Sequence, residues 1–165
     1  MKNHPLNIYL EIFNRAAART KALLDGSKIQ ARVGYWEESA VLKLQKRSWK
    51  NLTSDTGQND AEIFFSVWVE EKGLEQNRAF YNIHALKLRA LEGHEIQSRE
   101  FADAFRTAFA AAPSDWPHVS IDYGPQTLMQ GWIDLENLEN DAAVLVSRFI
   151  PLAELIDSLL DERAG

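Results

Sequence analysis

The chain of 165 residues contains no cysteine, which excludes disulfides, thiolate-bound metals and a cysteine nucleophile. Histidine is scarce as well. His4, His84, His94 and His118 never pair at i, i+3 or i+4, so no helical turn offers the two imidazoles of a zinc site. His94-Glu95 lacks the second histidine of a HExxH helix, and neither a GxSxG elbow nor a glycine-rich phosphate loop is present. No run approaches the roughly 18 apolar residues of a spanning helix. The first segment, MKNHPLNIYLEIFNRAAAR, places Asn, Glu and Arg where a secretory signal needs an unbroken apolar stretch. The expectation is a cytoplasmic protein without metal, cofactor or membrane association.

Against these absences stand 45% hydrophobic and 25% charged residues, the balance of an ordinary soluble globular protein. The length fits one α+β domain over residues 1–165. The net charge of −6 is unevenly laid out: ten Lys and Arg face six Asp and Glu in residues 1–60, but eight face eighteen in residues 61–165. An acidic chain is repelled by phosphate backbones, so nucleic-acid binding would need a local basic patch. Lys43, Lys46, Arg47 and Lys50, beside Trp49, are the only candidates; lysines of this kind also guard strand edges, and no nucleic-acid partner is expected.

Apolar periodicity gives the elements. A helix is predicted from about Pro5 to Leu24, with Gly26 as its stop. Strands follow at 29–36 and 40–49 around a Glu37-Glu38-Ser39 turn, then a polar loop, NLTSDTGQNDA. IFFSVWVEE and RAFYNIHALKLRAL, joined by KGLEQN, read as a central hairpin within residues 63–91. Ser98 opens a helix to about Ala112 whose Phe101, Phe105 and Phe109 make an apolar stripe directed at that hairpin; Pro113 ends it. A second hairpin is predicted from HVSIDYG and TLMQGWIDL, and a final helix from about Asn140 to Arg163, kinked or restarted at Pro151. The order implies a mostly antiparallel sheet of five or six strands, packed by N-terminal, middle and C-terminal helices.

The strand LKLQKRSW, followed by IFFSVWV and the ending FIPLAELIDSLL, resembles a family of uncharacterised bacterial α+β domains. That family's function is unknown, so the resemblance implies a fold and nothing about activity.

The central hairpin alternates in a telling way. Ile63, Phe65, Val67 and Val69 point to one side; Phe64, Ser66 and Trp68 point to the other, as do Asn82 and His84 on the second strand. Trp36, Trp68 and Trp132 all fall on the less aliphatic face. A sheet apolar on both faces must be covered on both, by helices, a partner or a ligand. Tryptophans with polar neighbours suit a binding surface, and equally a second core beneath the C-terminal helix. Ser66, Trp68, Tyr81, Asn82, His84 and Trp132 are therefore the candidate ligand-binding residues. No catalytic set is assigned: Glu37-Glu38 and Glu70-Glu71 point to opposite faces, and His118, Ser120 and Asp122 stand parallel along one predicted strand. The first functional reading is a non-enzymatic protein-interaction module, with a protein partner or a homodimer through the seam Leu145, Phe149, Leu152, Ile156 and Leu159. The second is a small-molecule binder or enzyme with a sheet–helix pocket around His84 and Trp68.

Overall fold

A computed structural model describes residues 5–51, 60–111 and 116–165. His4, most of the NLTSDTGQNDA loop and the helix end at Pro113 lie outside those residues. Five strands form one antiparallel sheet: β1 (Ile29–Trp36), β2 (Ser39–Lys46), β3 (Glu62–Val69), β4 (Arg78–Leu86) and β5 (Thr127–Asp134). Each pairs with its neighbour in sequence, so the sheet is a meander and the fold is α+β.

One face carries Leu42, Leu44, Phe65, Val67, Tyr81 and Ile83, all fully buried. Helices cover this face. α1 (Asn7–Arg19) lies over β1 and β2, α2 (Lys21–Gly26) over β1, α4 (Ser98–Ala111) over β5, and α5 (Leu138–Asp161) packs against α1, α4 and β5. Phe149 of α5 stacks on Phe65 at 4.7 Å and meets the edge of Trp49 at 5.8 Å. The stripe Phe101, Phe105 and Phe109 is buried as its spacing requires, but α4 packs chiefly on β5 and α5 rather than on the central hairpin.

Three expectations change and one narrows. The first helix breaks at buried Thr20, whose hydroxyl donates to the Ala16 carbonyl at 2.9 Å and competes with continuation of the backbone ladder. KGLEQN is not a simple turn but part of a short helix, α3 (Glu71–Glu75), in which a Cβ on Gly73 would lie 2.7 Å from the Arg78 carbonyl. No second helix opens at Pro151: a single helix contains the proline, which leaves only the first of the two expected outcomes, a kink, compatible with it. Pro151 and Ser147, whose carbonyl loses its donor, are both exposed, so solvent can satisfy that group. Residues 118–124 form no strand: His118 takes φ +51, and only Ser120 pairs with Gln130, through bonds of 2.8 and 3.0 Å.

That last segment is a strap around the β5 edge. Trp116 packs against Phe65, Tyr81 and Phe109 on the helix side, while His118 lies flat on Trp132 on the other side. Arg106 of α4 fixes the strap by donating to the carbonyls of Tyr123, Gly124, Thr127 and Leu128 at 2.9–3.2 Å. The α5 seam, Leu145 to Leu159, faces inward and is buried within the chain. It covers its own sheet, so it is not free to form a homodimer.

Candidate functional site

The opposite face of the sheet has no helix layer among the described residues. Pairing registers define its rows. Arg32, Lys43, Ser66, Asn82 and Gln130 stand side by side across all five strands. Next to them run Gly34, Val41, Trp68, Phe80 and Trp132. One row is polar and its neighbour is apolar and aromatic. The tryptophans therefore do not build a second core beneath α5, which packs on the other side.

Between β1 and β4 this face sinks into an open depression of about 860 Å³, lined among others by Trp36, Lys43, Phe64, Ser66, Trp68 and His84. The pocket expected between sheet and helix is thus on the side away from the helices. The Trp36 indole reaches over Gly34, where an added Cβ would meet its six-membered ring at 3.4 Å, an ordinary contact. Trp68 and Phe80 pack together at 5.7 Å, both half-buried, with α3 touching the Phe80 edge.

Ser66, Asn82 and His84 form one network. Ser66 Oγ donates to Asn82 Oδ1 at 2.8 Å, and Asn82 Nδ2 lies 2.9 Å from His84 Nε2 and donates to Gln130 Oε1 at 3.3 Å. An amide nitrogen only donates, so His84 Nε2 accepts and the ring proton sits on Nδ1. Nδ1 is buried and makes no well-aligned hydrogen bond, although the Gln126 carbonyl, which accepts the Ala85 N–H at 2.9 Å and keeps a second lone pair, lies close enough to favour its proton. Burial holds the imidazole below its ordinary pKa; that carbonyl and Glu62 favour the charged ring, while Lys43 opposes it. The β4–β5 register slips beside His84, turning both Leu128 and Met129 inward.

The other candidates lie elsewhere. Trp132 is on this face but outside the depression, closed by the His118 ring at 3.6 Å and the Arg78 guanidinium at 3.8 Å. Both approach within 4 Å of one ring, which places them on its opposite faces. Tyr81 belongs to the helix-covered face, where its hydroxyl donates to the Pro117 carbonyl at 2.6 Å and burial pushes its pKa far up. His94 is tied to the Glu92 carbonyl at 3.0 Å. His118, Ser120 and Asp122 do not line up on a strand; the Asp122 N–H donates to Ser120 Oγ at 3.1 Å. Of the basic stretch, Lys46 pairs with Asp157, Lys43 with Glu62 at 3.1 Å, and Trp49 is fully buried with its Nε1–H on Asp157 at 2.8 Å.

Charge is sorted along the strands, which composition alone did not reveal. At the end formed by Trp36, Ser39, Val69, Arg78 and Asp134 stand Glu37, Glu38, Glu70, Glu71, Asp134 and Glu136, against Lys72 and Arg78. The other end carries Lys28, Lys46, Arg47, Lys50, Lys87 and Arg89 against Asp60 and Glu62. Among the described residues no helix is long and apolar enough to cross a membrane, and no three His, Asp or Glu residues converge as metal ligands would. No protein-family model, curated protein or solved structure matches the chain.

Proposed function

We propose that the chain is a binding module that receives a protein segment on the uncovered face of its sheet. The observation that carries this reading is the one-sided helix layer: among the described residues the face without one still presents Trp36, Phe64 and Trp68 around a depression of about 860 Å³. Aromatic rings with polar handles, seated on a rigid sheet, are what recognition surfaces use. A catalytic reading is weaker, because the basic nitrogen of His84 is engaged by Asn82.

The test is a photo-crosslinking residue placed at Trp36 or Val41, compared with one at Thr107 on the outer side of α4. Protein adducts are expected from the sheet positions alone; equal adducts from Thr107, or none from the sheet, reject the reading. A second reading has one observation of its own, since the depression is within the size range of small-molecule pockets. It predicts a bound mass of a few hundred daltons in the native mass spectrum, lost in Ser66→Leu.

A further inference from the structure

We infer that the segment taken up by the uncovered face is basic, and that it lays a Lys or Arg side chain onto Trp68 at the acidic end of the strands. This rests on the docking role proposed for that face. Two of the aromatic rings there already carry a cation from the chain itself: Lys43 Nζ lies 4.3 Å from the centre of Phe64, and the Arg78 guanidinium lies 3.8 Å from that of Trp132. Among the described residues neither Trp36 nor Trp68 carries one, and Trp36 is 41% exposed.

Each of those free tryptophans has a carboxylate beside it in the same depression. Glu37 follows Trp36 in the turn, and Glu70 lies two residues beyond Trp68, on the same side of the strand by alternation. Neither carboxylate is in an ion pair with a described residue. An aromatic face flanked by a carboxylate is a site for an ammonium or guanidinium group: the ring quadrupole and the negative charge attract it together. Asp134, exposed on the same face at the end of β5, extends the field of the same sign.

Shape and charge count against a second copy of the chain as the occupant. Two concave faces pressed together would leave a void, and each copy brings a net charge of −6.

The probes are three fluorescein-labelled peptides in which Leu and Val alternate with Lys and Arg, with Glu, or with Gln, titrated by anisotropy at low and high salt. The basic peptide alone is expected to bind, more weakly at high salt. Glu37→Lys with Glu70→Lys should weaken it by about tenfold or more. Asp103→Lys with Glu154→Lys, the same change in net charge on α4 and α5, should leave it within about twofold. Trp68→Ser should abolish binding, with circular dichroism confirming that each variant is folded. Equal weakening by both charge-reversal pairs overturns the inference, since the attraction would then be to the chain's overall charge. Binding of the Glu or Gln peptide through Trp68 overturns the basic partner but keeps the docking face. Binding of no peptide, or binding indifferent to Trp68→Ser, overturns both.

Discussion

The two faces of the sheet are built from the same strands yet follow different rules. On the covered face Leu42, Leu44, Phe65, Val67 and Ile83 are fully buried and meet helices grown from both ends of the chain. On the other face the large side chains are half-buried at most, and polar groups stand beside the rings: Lys43 with Phe64, the Ser66–Asn82–His84 network with Trp68. The covered face resembles a core, with one chemical class at high density. The uncovered face mixes classes, as a surface must that stays wetted until something else covers it.

The comparison predicts unequal costs. Phe149→Ala removes a fully buried ring stacked on Phe65 and set edge-on to Trp49, and should cost about 3–5 kcal/mol in denaturant unfolding. A loss under about 1 kcal/mol would mean that α5 does not close the core. Gly131→Ala should cost about 1–3 kcal/mol, because the new Cβ would lie 2.4 Å from the Tyr81 hydroxyl and 2.8 Å from the Pro117 carbonyl. An unchanged midpoint would show that the strap moves freely. Trp68→Ser, on the uncovered face, should cost only about 1–2 kcal/mol; a loss matching that of Phe149→Ala would make both faces cores and remove the basis of the proposed docking.

Smaller effects sharpen the same contrast. Glu37 and Glu38 both adopt positive φ, at 49° and 66°, in a two-residue turn that favours Asn-Gly. Replacing them with Asn and Gly should stabilise the chain by about 1 kcal/mol while lowering affinity for the basic peptide. A stability gain with unchanged binding would detach the turn from recognition.

The smallest effect is a slope. Burial lowers the His84 pKa, so the unfolded chain binds this proton more readily than the folded one. The contribution of His84 is therefore complete above the ordinary value of 6.5 and is lost as pH falls below it. Unfolding midpoints measured across that range should fall with acidification in the wild type and fall less in His84→Gln; identical slopes would show that the ring is already solvated.

Much of the contrast was readable from alternation. Placing Phe64, Ser66, Trp68, Asn82 and His84 on one side and Phe65, Val67 and Ile83 on the other needs only the two-residue period of a strand. Tyr81 was legible too, since its parity sets it with Ile83 on the covered face, yet the sequence places it among the binding candidates, whereas its hydroxyl donates to the Pro117 carbonyl. The strap was not legible. His118, Ser120 and Asp122 alternate like a strand, but the left-handed turn at His118 and the four carbonyls held by Arg106 direct the segment around the sheet edge. Nothing local in FADAFRTAFA marks Arg106 for that task.

The amino-acid order by itself determined the α+β class, the antiparallel pairing of strands joined by short turns and the division of side chains between two faces. Those follow from periodicity and short connections, which act over a few residues. Which face receives the helices, that β5 is strapped and that carboxylates collect at one end of the strands were decided by tertiary structure. Helices from distant parts of the chain can cover one face completely more favourably than two faces in part, and only the assembled register brings Glu37, Glu70 and Asp134 to the same end.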